Sequence, residues 1–390
     1  MALLPDFLAK TKALISQGKL MDATRAIQLG LGIRPAADLQ PKYKAEQFSE
    51  FAASGTSTRA PTMFKPAVVG EVATDIKFRE FARSPVIDKQ TSPEAPPGAA
   101  TTPAIFNEDS FDYGQNRYVF RLFIPSKVDA SPLPLVVMLH GCKQDSQDFA
   151  AGTAMNSLAE QEKFIVLYPE QLKSANNMGC WNWFDPAHQG IGRGEPGMLA
   201  ALTMKVMANN RIDPARVYVA GLSAGAAMAA LMGHLHPEIF AAVGVHSGLA
   251  PGSARSIPSA FSAMAKGPSP RSRLSAIGVP VIVIQGSGDA TVAPGNANAI
   301  IDGELGFWKS KGVNLSKSLD GVDSPGALRP TTKSVWKTGE GKPKIELWLV
   351  TAGPHAWSGG HASGSFTDPK GPDASKAMFD FFKLHTRSSN

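Results

Sequence analysis

The chain has 390 residues and lacks the features by which membrane, metal-binding and nucleic-acid-binding proteins are usually recognised. It has no run near the roughly 18 apolar residues that a membrane-spanning helix needs. It has two cysteines, Cys142 and Cys180, without the spacing of a zinc site, so we expect no structural metal. The formal net charge is +6, but no long run of like charge occurs, so we expect no nucleic-acid partner.

Residues 1–104 also lack a secretory signal peptide. Asp6 and the lysines that follow it interrupt the apolar residues where a signal peptide would have its core, and this favours the cytoplasm. Residues 1–35 predict an amphipathic helical segment, because their apolar residues recur at helical spacing. Residues 36–104 are rich in Pro, Ala, Ser and Thr and predict a partly disordered linker.

From about residue 105 the sequence alternates regularly between strand and helix patterns. An alternating pattern predicts a strand at 117–125, and continuous apolar runs predict buried strands at 133–141 and 164–169. Further strands are predicted at 216–222, 240–248, 279–289 and 344–353. Helical periodicity predicts helices at 149–163, 196–210, 224–237 and 374–385. The alternation predicts an α/β domain over residues 105–390, with a mainly parallel sheet that helices cover on both faces.

The stretch Gly-Leu-Ser-Ala-Gly at 221–225 follows one of these predicted strands and opens a predicted helix. A serine between two glycines at a strand-to-helix turn is typical of a nucleophile elbow, because bulky neighbours would block so tight a turn. The N-terminus of the helix would direct free N–H groups at the reacting centre. The stretch therefore predicts that Ser223 is a catalytic nucleophile.

A serine nucleophile needs a base and an acid that orients it, and on this fold the chain order is Ser, then Asp or Glu, then His. Asp289 follows the predicted strand 279–289, and His355 follows the predicted strand 344–353. Since the carboxyl ends of parallel strands meet at one edge of a sheet, these two residues are our candidates for the acid and the base.

Other histidines and acids fit this order less well. His246 ends a predicted strand but precedes Asp289, and His361 lies in a glycine-rich loop with no strand directly before it. Two further histidines near the end of the elbow helix are expected at the surface: His234 and His236. Three further acids lie in a segment with weak strand character: Asp302, Asp320 and Asp323.

An acyl-transfer site also needs N–H donors that stabilise an oxyanion. One donor is expected from the residue after the nucleophile, Ala224, and the other from a loop that follows an early strand. His140 and Gly141 end such a strand, so we expect the backbone N–H of Cys142 to be the second donor. The His140 side chain is interpreted as structural.

Five ordered motifs together resemble the esterases of the polyhydroxybutyrate depolymerase family, which are also similar to feruloyl and acetylxylan esterases. They are LHGCKQD (139–145), CWNWF (180–184), AGLSAGAAMA (220–229), QGSGDATV (285–292) and GPHAWSGG (353–360). The resemblance implies a three-layer α/β-hydrolase fold without a cofactor. It also implies a triad of Ser223, Asp289 and His355, with Cys142 and Ala224 at the oxyanion positions.

Beside these motifs, two structural questions stay open. Cys142 and Cys180 form either a disulfide, which would favour an oxidising compartment over the cytoplasm, or two free buried thiols. The aromatic residues of two motifs form either a substrate-binding wall or part of the core. These residues are Trp181, Trp183, Phe184 and Trp357.

The resulting hypothesis is a serine esterase that hydrolyses hydrophobic esters through an acyl-enzyme, with a hydroxyalkanoate polymer or oligomer as substrate. A feruloyl or acetylxylan esterase acting on carbohydrate-linked esters is an alternative, and so is an acyltransferase with the same triad. A third alternative is a non-catalytic protein that binds polymer or granule surfaces through residues 1–35.

Overall fold

The computed structural model of the chain describes residues 103–126, 131–321 and 328–387. The predicted helical segment (1–35) lies outside the described residues, as does the predicted linker (36–104) except for its last two positions.

Ten strands of the described ranges form one sheet, in the order β1-β2-β4-β3-β5-β6-β7-β10-β9-β8. Their bounds are β1 (Ile105–Tyr113), β2 (Asn116–Ile124), β3 (Leu133–Leu139), β4 (Ile165–Pro169), β5 (Ile212–Leu222), β6 (Ala242–His246), β7 (Val281–Gly286), β8 (Ser316–Gly321), β9 (Thr331–Lys337) and β10 (Pro343–Val350). The six strands from β4 to β10 in this order pair in parallel. The strands at both edges pair antiparallel.

Helices cover both faces of the sheet. The first face carries α3 (Gly194–Asn209), α4 (Ala224–Leu235), α5 (Ile257–Lys266) and α6 (Gly295–Ser310). The second face carries α1 (Ser146–Thr153), α2 (Met155–Glu162) and α7 (Ala374–Phe382). Strand β3 contributes to both cores, because Val137 packs on the first face while Val136 and Met138 pack on the second. The result is the three-layer α/β arrangement that the sequence predicts.

Some elements differ from the prediction. The helix predicted over 149–163 is interrupted at Ala154, whose left-handed backbone (φ 52°) ends α1 and starts α2. Asp302 does not lie in a strand-like segment, because it belongs to helix α6. Asp320 lies in β8, and Asp323 lies outside the described residues. Among the helices of the described ranges, none is long and apolar enough to span a membrane.

The topology places the candidate site residues at one end of the parallel strands. Ser223 follows β5 directly, Asp289 follows β7, and His355 follows β10. Because β5, β6, β7 and β10 are neighbours in the sheet, the loops after them lie side by side. A short additional pair, β11 (Trp357–Ser358) with β12 (Thr367–Asp368), shapes the loop that carries His355.

Candidate active site

Ser223 lies on a tight turn between β5 and α4. Its backbone has φ 57° and ψ −118°, a conformation that residues other than glycine rarely adopt. A Cβ atom on Gly221 would lie 2.6 Å from the carbonyl oxygen of Leu139, and one on Gly225 only 2.1 Å from it. The two flanking glycines therefore let the turn pack against the end of β3. The Ser223 N–H donates to the carbonyl of His246 at 2.9 Å, which fixes the turn to β6.

Asp289 and His355 form a hydrogen-bonded pair, with 2.8 Å between Nδ1 of the imidazole and Oδ2 of the carboxylate. The Asp289 side chain is fully buried, whereas that of His355 is 14% exposed. The second carboxylate oxygen accepts the backbone N–H groups of Thr291 (2.9 Å) and Val292 (2.8 Å). The carboxylate is thus held rigidly, and the imidazole receives one fixed tautomer with Nδ1 as the donor.

The electrostatics of this pair favour an ionised Asp289. Burial by itself would raise the pKa of the carboxyl group. The hydrogen bond from His355 and the two backbone N–H groups outweigh burial, and the pKa of Asp289 lies below its usual value. Gln285, on β7, adds a longer contact of 3.3 Å from its amide nitrogen to Oδ2 of Asp289. The sequence analysis did not single out Gln285, whose position at the end of a buried apolar strand is the signal that was available.

The competing histidines have other surroundings. His246 is buried and stacks on Trp357, with 5.1 Å between the ring centroids. Its Nε2 accepts the N–H of Ser358 at 3.0 Å, and burial together with nearby His355 lowers its pKa to about 3. Because the acceptor nitrogen of this neutral imidazole is already hydrogen-bonded to Ser358, it is not free to take the proton of Ser223.

His234 is exposed, as expected, but the expectation that His236 lies at the surface is wrong. His236 is 5% exposed and packs at the C-terminal end of α4, because its backbone N–H still bonds to Met232. Its Nδ1 lies 2.8 Å from a carboxylate oxygen of Glu238. His361 is exposed and contacts Ser363.

In the loop after β3, three backbone N–H groups donate to described oxygen atoms. The N–H of Gly141 donates to the side-chain oxygen of Gln144 (3.0 Å), that of Lys143 to the carbonyl of Met178 (2.8 Å), and that of Gln144 to the carbonyl of Gly141 (3.3 Å). The N–H of Cys142 has no hydrogen-bond partner among the described residues. It is the donor that the sequence analysis chose.

The N–H of Ala224 is the second free donor. As the first residue of α4 it has no partner within the helix, and no other described residue accepts from it. Ala224 and Cys142 thus offer two unused N–H groups, one from each of the two chain segments that Gly225 brings together at Leu139.

A disulfide joins Cys142 to Cys180, so the alternative of two free thiols is excluded. It closes a span of 38 residues and ties the loop after β3 to the loop that carries Trp181. A closed loop of this length restricts the unfolded chain by about 3–4 kcal/mol. The bond also tethers Cys142, next to Gly141, whose N–H donates to Gln144.

A buried polar network behind the disulfide was not predicted. Nε2 of His140 accepts the N–H of Gln171 (3.1 Å), and the Gln171 amide donates to the Glu195 carboxylate (2.6 Å). Glu195 also accepts the backbone N–H and the side-chain amide of Asn182, both at 2.7 Å. Burial lowers the pKa of His140, in keeping with a neutral, structural ring. The network anchors the segment that carries the second cysteine.

Two aromatic residues do not form the predicted substrate wall. Trp181 is fully buried and packs against His140 at 5.6 Å, and Trp357 is 1% exposed and packs between His246 and Phe149. Both belong to the core, because each packs within a cluster of buried residues on one face of the sheet.

Trp183 and Phe184 make an edge-to-face pair at 5.6 Å. Trp183 is largely buried, and Phe184 is half-buried. Of the four aromatic candidates, Phe184 is the least buried. Within the described ranges, no group of three or more His, Cys, Asp and Glu side chains is arranged to hold a metal ion.

The chain is similar to known esterases. The family model described as esterase PHB depolymerase matches residues 118–315, just over half of the chain. The chain is 34% identical over 258 residues to poly(3-hydroxyalkanoate) depolymerase C of Paucimonas lemoignei, which covers 63% of this chain and 60% of that protein. It is 33% identical over 142 residues to feruloyl esterase B of Neurospora crassa, covering 36% of this chain and 47% of that protein.

The chain therefore spans less than two thirds of the length of these curated relatives. Among solved structures, the acetyl xylan esterase from Aspergillus awamori superposes with a TM-score of 0.52 at 21% identity, covering 71% of this chain and 99% of the other. This likeness shows that the described domain has the α/β-hydrolase fold of esterases.

Proposed function

The chain belongs to the esterase PHB depolymerase family, and from this premise we propose that it is a serine esterase of hydrophobic esters. The observation that carries the proposal is the joint geometry of three groups at one sheet end. Ser223 stands on a strained turn, two free N–H groups adjoin that turn, and Asp289 holds the imidazole of His355 in one tautomer. These are the nucleophile, the oxyanion donors and the oriented base of acyl transfer.

The proposed mechanism has two steps. His355 Nε2 takes the proton of Ser223 as the hydroxyl attacks the ester carbonyl, and Asp289 stabilises the resulting imidazolium. The N–H groups of Cys142 and Ala224 bind the oxyanion of each tetrahedral intermediate. His355 gives the proton to the leaving alcohol, and an acyl group remains on Ser223. Water, deprotonated by His355, then releases the acid and restores the serine.

The proposed catalytic domain comprises residues 105–390. The family match ends at residue 315, before His355, but the proposal of a longer domain is supported by the hydrogen bond from His355 to Asp289 and by the pairing of β7 with β10, the strands that precede these residues. Phe184, half-buried beside Trp183, supports a substrate with an apolar body. Together with the depolymerase relatives, this favours hydroxyalkanoate oligomers or amorphous polymer as substrates.

The test compares wild type with Ser223→Ala on p-nitrophenyl butyrate and on a suspension of amorphous polyhydroxybutyrate. We expect the wild type to cleave the soluble ester and to clear the suspension. Ser223→Ala should lose roughly 10⁴–10⁶-fold in kcat, as nucleophile deletions do in serine hydrolases. Ser334→Ala alters a buried serine within β9, outside the loops that carry the candidate site residues; it is the matched control and should retain activity.

A second substrate class has support from the comparisons, since feruloyl and acetylxylan esterases are among the relatives. Methyl ferulate and acetylated xylan therefore belong in the same assay. Cleavage of the soluble esters without clearing of the polymer would move the substrate assignment to this class. Full activity of Ser223→Ala on every ester would refute the serine mechanism itself.

A further inference from the structure

A cavity of about 180 Å³ lies at the end of the sheet opposite Ser223. Its lining includes Ala241 before β6, residues 278–280 before β7, and Lys342 and Lys344 at the start of β10. Since these strands run in parallel, their carboxyl ends carry the candidate active site at the other end. A strand of five or six residues at 3.3 Å each separates the two places by roughly 15–20 Å.

The lining of the cavity combines apolar and cationic residues. Its apolar lining is made by Pro237, Phe240, Ala241, Val279 and Pro280. Its cationic lining is made by Lys342, Lys344 and Arg387. The ammonium of Lys344 lies 4.7 Å from the ring centroid of Trp308, which also lines the cavity. A ligand in this space would meet both hydrocarbon and positive charge.

The three cations have no carboxylate partner within the described part of the chain. Arg387 donates one guanidinium N–H to the carbonyl of Pro214 at 3.3 Å, and neither lysine is ion-paired. Glu304 accepts the N–H of Gly278, a residue that lines the cavity. Burial raises the pKa of the Glu304 carboxyl group to about 7. Burial and the nearby Lys342 lower the pKa of Lys344, as expected where positive charges gather without compensation.

Several buried side-chain nitrogens of residues that line the cavity also lack hydrogen-bond partners among the described residues. Nε1 of Trp308, Nε of Arg387 and both ring nitrogens of His385 are buried and make no hydrogen bond to any described residue. Such groups cost free energy when they are left unpaired, and they are usually satisfied by protein, water or a ligand. His385 has a pKa lowered to about 3 by burial and by the two lysines, so its ring is neutral and supplies one N–H donor.

We propose that this cavity binds the carboxylate of a short-chain organic acid. The carboxylate would accept from Trp308, Arg387 and His385 and pair with Lys344, and the hydrocarbon part would lie against Phe240 and Val279. An inorganic oxyanion would use the same donors but would leave the apolar lining uncovered, which is why the carboxylate is favoured. The assignment holds whether or not the protein hydrolyses esters.

The test is isothermal titration calorimetry on the full chain with sodium butyrate, butyramide and inorganic phosphate. Butyramide has the shape of butyrate without its charge, and phosphate has charge without the hydrocarbon. We expect butyrate to bind at least tenfold more tightly than either, because charge-assisted hydrogen bonds and apolar burial act together only for butyrate. Equal binding of butyramide, or tighter binding of phosphate, would overturn the assignment.

Two variants locate the site. Lys344→Met keeps a long apolar side chain over Trp308 but removes the charge, and we expect it to weaken butyrate binding about tenfold or more. Lys317→Met is its matched control. Lys317, on β8, has its ammonium 5.1 Å from the ring centroid of Trp336, on β9, and it does not line the cavity. It should bind butyrate as the wild type does.

Ser223→Ala separates this cavity from the candidate active site and should leave butyrate binding unchanged. Thermal unfolding of all variants checks that they fold. Two results would contradict the proposal: Lys344→Met binds butyrate as tightly as the wild type does, or the wild type does not bind butyrate.

Discussion

The fixed position of Asp289 is the strongest single constraint on the chemistry of the site. One carboxylate oxygen faces His355, and the other is occupied by two backbone N–H groups, so the side chain has one orientation. An asparagine at this position would present an amide that cannot both accept from Nδ1 and stabilise an imidazolium. In the proposed mechanism, Asp289 therefore both orients the imidazole of His355 and stabilises its positive charge.

We predict that Asp289→Asn lowers kcat for p-nitrophenyl butyrate by roughly 10³–10⁴-fold, because the imidazole then takes the wrong tautomer. The KM should change little, since the side chain is buried away from the substrate. Steady-state kinetics provide the measurement. Asp302→Asn, at an exposed acid on α6, is the control and should behave as the wild type. Equal kinetics for both variants would remove Asp289 from the mechanism.

The order of residue types along the chain and their positions after predicted strands were sufficient to select Ser223, Asp289 and His355 as candidates. They were not sufficient for the aromatic residues. Trp181 and Trp357 stand beside the motifs in the sequence, but the direction of a loop side chain depends on what its backbone bonds to. Trp357 turns inward, where its indole N–H donates to the hydroxyl of Ser375 on α7. The local sequence pattern does not predict this contact. Gln285 and Glu195 were missed for the same reason.

Among the secondary structure elements, the strand-to-helix turn at Ser223 depends on its glycines. Gly225 lies in α4, where alanine would normally be the better residue, yet its missing side chain leaves room for the carbonyl of Leu139. A β-carbon at 2.1 Å from that oxygen cannot be accommodated without separating α4 from β3. The turn, the nucleophile and the free N–H of Ala224 would shift together.

We predict that Gly225→Ala destabilises the fold by about 3 kcal/mol or more, a magnitude typical of severe overpacking. Gly303→Ala offers the matched control, because Gly303 is also helical and a Cβ there meets no atom within 4 Å. It should raise stability by about 0.5–1 kcal/mol through helix propensity. Thermal or urea unfolding measures both variants. Similar stabilities for the two would show that the close approach at Gly225 is not tight.

The parallel strands and the helices beside them could be predicted because they are long, apolar and regular. The antiparallel edge strands could not. Strand β1 is largely exposed, and β8 is a short polar strand, so neither has the apolar run on which the prediction relied. Helix α6 contains Gly303 and Gly306, which weaken the helical signal, and its place is set by packing on β7 and β10. These elements exist because of tertiary contacts.

Over the molecule as a whole, one buried acid links stability to pH. Glu304 on α6 is fully buried and accepts the N–H groups of Ile277 and Gly278. Burial nevertheless raises its pKa to about 7 from a usual value near 4.5. The folded state then binds this proton more tightly than the unfolded chain does. Stability from this group is present below pH 4.5 and is lost as the pH rises through 7.

We predict that the free energy of unfolding of the wild type falls, relative to Glu304→Gln, between pH 4.5 and pH 7.5. The expected difference is on the order of 3 kcal/mol, because each pKa unit corresponds to about 1.4 kcal/mol. Urea denaturation at several pH values provides the comparison. Glu340→Gln, at an exposed position, should follow the wild type across the same range. A constant gap between wild type and Glu304→Gln would show that Glu304 titrates normally.

The central claim is that Ser223 becomes acylated during ester hydrolysis, and rapid quenching followed by peptide mass spectrometry tests it most directly. After brief reaction with p-nitrophenyl butyrate, the account predicts one butyryl group per chain, located on Ser223, together with a matching burst of nitrophenol. The acyl group should be absent from Ser223→Ala. Acylation of a different residue, or turnover with no covalent intermediate and no dependence on Ser223, would contradict the account.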